Sequence, residues 1–169
     1  MLDPSIEKAL NQQVNNELTA WYNYMAMSAY FDGLNLTGFA GFMDAQAQEE
    51  QTHAQRIFRY LLDRGGQVDL QPIQPPSASF GSVADVFHKA FESERANSKA
   101  IHELYELARN CNDYATISAL QWFLDEQVEE EKLMSEAVGL VEFAGDDKSA
   151  LLALNAQFGQ RQPDAAAGE

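Results

Sequence analysis

Glycine and proline fall so unevenly along this chain that they divide it into helices before any other property is considered. Both residues cluster between long stretches that hold almost none. A first helix is expected to open after Asp3-Pro4, with Ser5 as another possible cap, and to end near Gly33. A second runs from about Thr37 to the Gly65-Gly66 pair. Ser82 caps a third that ends around Asn110, Asp113 starts a fourth, and Gly145-Asp146-Asp147 breaks it before a short fifth at about 148–158.

The connection at 66–81 is of a different kind, because Pro72, Pro75 and Pro76 keep it from being helical. Extended at ~3.3 Å per residue it reaches roughly 50 Å, whereas a helix as long as the second measures about 40 Å at 1.5 Å per residue. It therefore carries the chain the full length of a bundle and makes the second and third helices parallel. The short links elsewhere make the first two, and the last two long helices, antiparallel pairs. The fold class expected is all-α: a four-helix bundle with one long crossover between the second and third helices and a short fifth, C-terminal helix. A chain of 169 residues, 46% of them hydrophobic, is one domain's worth of core. That domain is expected to span residues 1–159, with 160–169 as a flexible C-terminal tail.

Steps of three and four along each helix identify the side chains that face the bundle axis. On the first helix these are Leu10, Val14, Glu17, Trp21, Tyr24 and Ser28; on the second, Phe39, Met43, Gln46, Glu50, His53, Ile57 and Tyr60. On the third they are Val83, Phe87, Ala90, Glu94, Asn97, Ile101 and Leu104; on the fourth, Leu120, Phe123, Gln127, Glu130, Met134, Ala137 and Val141. Each seam has a glutamate near its middle and none has a lysine or arginine. Four carboxylates directed into one interior repel one another unless a cation sits among them. One histidine amid oxygen ligands suits Fe²⁺, Mn²⁺ or Zn²⁺ better than Ca²⁺, and four negative charges suit two metals better than one. The competing reading places some of these glutamates at solvated stripe edges. It weighs most on Glu130, which stands in the acidic run Glu129-Glu130-Glu131.

Charge narrows the function classes further. With 26 acidic residues against 11 basic and a formal charge of -15, the surface repels nucleic acid and anionic membranes and attracts cations. No stretch is long and apolar enough to span a bilayer, and the N-terminus, with Asp3 and Glu7, lacks the pattern of a secretory signal. A single cysteine, Cys111, fits a reducing compartment, so a cytoplasmic location is expected. His88 and His102 lie off the seams and read as surface residues, and Met25, Met27 and Met43 read as core filler.

From Leu2 to about Phe158 the sequence resembles the non-haem bacterial ferritins. The resemblance is carried by Glu17 and Tyr24, by Ala47-Gln48-Glu49-Glu50-Gln51-Thr52-His53-Ala54-Gln55-Arg56, by Glu94, by Leu120-Gln121-Trp122-Phe123 and by Glu126-Gln127-Val128-Glu129-Glu130-Glu131-Lys132. It implies that Glu17, Glu50 and His53 hold one iron while Glu50, Glu94 and Glu130 hold a second, with Gln127 as a hydrogen-bonding neighbour. It also implies a third iron site at Glu49, Glu126 and Glu129, sharing Glu130; the competing reading there is an ordinary solvated acidic face. Tyr24 would hydrogen-bond a ligand and supply an electron, and Trp122 would be a second oxidisable group, though both also read as packing aromatics.

The family implies an iron-storage ferroxidase that takes Fe²⁺ and O₂ as substrates and stores ferric mineral inside a homo-oligomeric shell of 24 subunits. Gln51 and Gln127-x-x-Glu130 stand where haem-containing bacterioferritins carry a methionine and a second Glu-x-x-His, so no haem is expected. One cysteine leaves no Cys-x-x-Cys pair of the rubrerythrin kind. A scaffold of acidic helices without redox chemistry is the alternative from another class.

Overall fold

The computed structural model describes residues 2–160. It contains five helices: α1 (Pro4–Gly33), α2 (Thr37–Asp63), α3 (Val83–Asn110), α4 (Tyr114–Ala144) and α5 (Lys148–Phe158). Four of the five starts follow the capping chemistry of the sequence, and α2 begins after Leu36 with no side-chain cap. Asp3, not Ser5, caps α1: its side chain accepts from the Ser5 backbone N–H, with Pro4 in the first turn. Ser82, Asp113 and Asp147 accept in the same way for α3, α4 and α5. The turns between paired helices rest on Asn35 and Asn112, both in the left-handed region at φ 59° and 56°, which asparagine tolerates better than other non-glycine residues.

Aromatic contacts give the direction of the helices. Phe31 at the end of α1 meets Phe39 at the start of α2 (5.2 Å between centroids) and Phe87 at the start of α3 (5.7 Å), so α2 and α3 begin at the same end. At the other end Arg64, just past α2, pairs with Asp113, just before α4, at 3.0 Å. The α2 and α3 helices are thus parallel, and residues 64–82 run the length of the bundle between them, without helix or strand.

Side chains of α1 hold the crossover in place by acting as a strand partner. Asn11 donates to the Gln67 carbonyl (2.8 Å) and accepts from the Asp69 N–H (2.7 Å). One turn on, Asn15 donates to the Asp69 carbonyl (3.2 Å) and accepts from the Gln71 N–H (2.9 Å), while Glu7 accepts from the Gln67 N–H (3.1 Å). The match is geometric: four residues of helix rise about 6 Å, close to the ~6.6 Å spanned by two residues of extended chain.

The core divides into two apolar ends with a polar middle. One end packs Phe31, Phe39, Met43, Phe87, Met134 and Phe158; the other packs Ile6, Leu10, Ile57, Leu61, Ile101 and Leu120. The α5 helix closes the first end. Phe158 is buried against Phe39 and Phe42, and Asn155 accepts from the Phe39 N–H at 3.0 Å. Gly38 permits that approach, since a Cβ there would lie 1.7 Å from the Asn155 carbonyl oxygen.

One core assignment is corrected. Met27 and Met43 are buried, but Met25 is 44% exposed, because it follows the seam residue Tyr24 by one position and so turns about 100° away from the axis. His88 and His102 are exposed, as is Cys111. Among the described residues no helix is long and apolar enough to cross a membrane. The expected flexible tail at 160–169 lies, from residue 161 onward, outside the described residues.

Removing the ladder tests its role. Asn11→Ala and Asn15→Ala each leave backbone groups of the crossover without partners, at a cost of roughly 1–2 kcal/mol. Each variant is expected to melt at a lower temperature and to be cleaved faster by protease at residues 67–71.

Candidate metal centre

The carboxylates that the seams direct inward meet between the two apolar ends, and all are out of water. Glu17, Glu50, Glu94 and Glu130 are buried, as are His53 and Gln127. Ligand atoms of Glu17, Glu50 and His53 lie within 4.8 Å of one another, close enough to share one ion. These three come from two helices only. The Glu50-x-x-His53 spacing stacks its two side chains one above the other on α2, and Glu17 faces them from α1.

Glu17 is oriented by amides, not by cations. Gln13, one turn earlier on α1, donates to Glu17 Oε1 at 2.7 Å and to Asn97 Oδ1 at 2.5 Å; Asn97 Nδ2 donates to Glu17 Oε2 at 3.0 Å. Glu94 accepts from the Tyr24 hydroxyl, and Gln127 Nε2 lies 3.3 Å from the Glu94 carbonyl, 3.5 Å from its Oε2 and 3.1 Å from Ser98 Oγ. Sequence reasoning assigned no part to Gln13, Asn97 or Ser98. The available signal was a polar residue one turn from a seam glutamate, or on the seam itself, where apolar packing would be the default.

Among the described residues, three buried side-chain atoms have no hydrogen-bond partner: Glu50 Oε2, His53 Nδ1 and Glu130 Oε2. His53 Nδ1 lies 3.5 Å from Glu50 Oε2 and 4.0 Å from Glu17 Oε2. Interiors rarely leave such atoms unsatisfied, and here all are electron-pair donors of the kind hard or borderline divalent cations take. This donor set fits iron.

Electrostatics agree with that fit. Burial, reinforced by Glu94 and Glu17, pushes Glu50 well above the usual carboxylate range. Burial raises Glu94 to about 7 and, with repulsion from Glu94, Glu49, Glu126 and Glu129, raises Glu130 to about 9. Burial lowers His53, which keeps the imidazole neutral and able to ligate. Tyr24 is pushed up by burial and by the nearby carboxylates.

The structure brings Glu17, Glu50 and His53 into one closed group, and sets Glu94, Gln127 and Glu130 in the same interior. The three acids expected to form a third site are placed differently. Glu49 and Glu126 are half-buried and Glu129 is exposed, and all three are close enough to repel charge on Glu130. Gln46 donates to Glu49. Trp122 stands edge-on to His53, 5.3 Å between centroids.

Metal-free stability follows from the raised carboxyls. The folded state favours protonated Glu130 and Glu94, so nothing is lost below the unfolded value of 4.5; stability falls as pH rises from there through the folded values of about 9 and 7. In apoprotein the melting advantage of Glu130→Gln over wild type is expected to widen from pH 5 to pH 9. Thermal scans across that range check it, and a constant difference would contradict the burial argument.

The comparisons with known proteins agree on one family. A family model for the ferritin-like domain matches residues 7–144. The chain is 40% identical over 164 residues to the bacterial non-heme ferritin of Staphylococcus aureus, covering 97% of this chain and 99% of that one. It is 43% identical over 151 residues to that of Staphylococcus epidermidis, covering 89% and 91%. Among solved structures, an open pore ferritin from the hyperthermophilic archaeon Archaeoglobus fulgidus superposes with a TM-score of 0.94 at 38% identity, covering 96% of this chain and all of that one. A humanized archaeal ferritin gives 0.94 at 39% identity, covering 96% and 98%. With a matching family model, relatives at 40% identity over nearly the full length and the same bundle in solved structures, the chain belongs to the ferritin family.

Proposed function

We propose that this chain is the subunit of an iron-storage ferritin that oxidises Fe²⁺ with O₂ at an intrasubunit di-iron centre. The observation that carries the reading is the closed group of Glu17, Glu50 and His53, with unsatisfied donor atoms in an interior that, among the described residues, buries no lysine or arginine to balance them. Glu17, Glu50 and His53 hold one iron; Glu50, Glu94 and Glu130 hold the other, with Glu50 shared. Each Fe²⁺ gives up one electron, and O₂ takes both together with two protons to leave at the oxidation level of hydrogen peroxide.

The protein's part is positional and electrostatic. Carboxylate oxygens favour Fe³⁺ over Fe²⁺, which drives oxidation. Gln13 and Asn97 fix the Glu17 carboxylate, so it need not reorganise when an ion arrives. Gln127 steadies Glu94 from the side, and Tyr24 donates its hydroxyl proton to the same carboxylate, where it can also supply an electron. Carboxyls held protonated in the empty site release protons as Fe²⁺ binds. Glu49, Glu126 and Glu129 provide an acidic approach next to Glu130 and a third site for iron.

Storage requires an enclosed space that one bundle lacks, so the ferric product is deposited inside a shell of 24 subunits. That assembly is supported by family membership and by exposed apolar side chains such as Tyr22, Leu62 and Phe143, which a shell would cover. The absence of haem rests on Gln51 and Gln127, and a cytoplasmic location on the lone Cys111.

Adding Fe²⁺ to aerobic apoprotein is expected to give ferric absorbance far faster than in buffer. Glu50→Ala and His53→Ala are each expected to slow it by about 10- to 100-fold or more. Wild type and variants oxidising iron at the rate of buffer would overturn the ferroxidase reading and favour an acidic scaffold. Elution from a sizing column as a monomer or dimer would remove the shell while leaving the centre.

A further inference from the structure

Two aromatic rings stand against His53: Phe123 at 6.1 Å and Trp122 at 5.3 Å between centroids, the latter tilted by 77° so that an edge meets a face. A cation covers Trp122. The Arg56 guanidinium carbon lies 4.1 Å from the centroid of the indole, well inside cation–π distance. Arg56 follows His53 by three residues on α2 while Trp122 comes from α4, and the two line one cleft together with Ile57, Tyr60 and Ser118. In a chain with 26 acids this arginine is laid on a ring.

Indole is the most electron-rich side chain in proteins, and this one adjoins a centre that, on the reading above, reduces O₂ to hydrogen peroxide. Peroxide adds oxygen to indole by a definite exchange of bonds. The C2=C3 π pair forms a bond to one peroxide oxygen, the O–O bond breaks, and the second oxygen leaves as water after taking a proton. The ring becomes one oxygen heavier and peroxide is consumed. A positive charge over the π face opposes that step twice, by withdrawing electron density from the attacking pair and by occupying one face.

We propose that Arg56 protects Trp122 from oxidation by the peroxide formed beside it, and so preserves the ring that packs on His53. The proposal rests on the ferroxidase reading for its source of peroxide, but the shielding is a property of the side-chain pair alone. Trp21 supplies an internal reference: it is half-buried, stacks on Tyr22 at 6.0 Å, and has no cation over its face among the described residues.

The assembled protein is treated in two arms, one turning over Fe²⁺ with O₂ and one receiving hydrogen peroxide without iron. Oxygen addition at Trp122 and Trp21 is measured by peptide mass spectrometry in wild type, Arg56→Gln and Arg56→Lys. The glutamine removes charge but keeps a planar group over the ring; the lysine keeps charge. Arg56→Gln is expected to raise Trp122 oxidation about fivefold in the peroxide arm, with Trp21 unchanged and Arg56→Lys near wild type. No rise at Trp122 with Arg56→Gln, or an equal rise with Arg56→Lys, overturns the proposal. If the peroxide arm shows the rise while the iron arm oxidises neither ring in any variant, the shielding stands and its proposed source of peroxide does not.

Discussion

Carboxylates in a dry interior raise the free energy of a fold unless their charge is offset, and the arrangement of this bundle follows from how that is done. Four glutamates, one from each long helix, are buried in its middle. Lysine or arginine there would neutralise them permanently and leave no room for an ion. The chain instead uses protons when empty, as the raised Glu94 and Glu130 carboxyls indicate, and amide donors that orient a carboxylate without neutralising it. A protonated acid yields to a metal; an ion pair with arginine does not. The site is thereby kept available at the cost of some stability.

That cost is carried by the two ends. Phenylalanines from α1, α2, α3 and α5 interlock at one end, and leucines and isoleucines fill the other. Close-packed interiors are stiff, so the two ends hold the polar middle at a set width, together with the hydrogen bonds that cross it from α1 to α3 and from α3 to α4. The α5 helix and the crossover belong to the same design. Phe158 plugs the aromatic end, and the asparagine ladder fixes residues 67–71 along α1, so neither end opens easily.

The sequence makes the backbone of this arrangement legible to a large degree, because each relevant signal is local. Glycine and proline positions mark the helix ends, the length of 66–81 dictates parallel α2 and α3, and the three-and-four steps select seam residues that are buried apart from the half-buried Trp21, Tyr60 and Val83. What escapes is contact between distant segments. Nothing near Asn11 or Asn15 says that they will bind residues 67–71, since that pairing depends on where the crossover lies in space. Gly38 reads as an ordinary helical glycine until Asn155 is seen pressed against it. Met25 reads as core by residue type, yet its position one step beyond Tyr24 turns it outward. Of the amides around Glu17, Asn97 stands on a seam but gave no sign of what it would hold.

On the proposed two-iron reading the two halves of the centre are built unequally, and this bears on the order in which they fill. On the α1–α2 side, Glu17 is already fixed by two amides and lies with Glu50 and His53 inside a single ion's reach. On the α3–α4 side, Glu94 is tied to Tyr24 and Gln127, and Glu130 keeps an unsatisfied oxygen next to three further acids. A first ion must displace a proton from Glu50 in either position, but on the first side it then meets an oriented Glu17 and a neutral His53, whereas on the second it must also displace the proton that Glu130 holds up to about pH 9. Its charge would then lower the cost of ionising Glu130 and Glu94, making the second position easier to fill. Filling in that order, with binding at the first position preparing the second, follows from the difference between an oriented carboxylate and a protonated one.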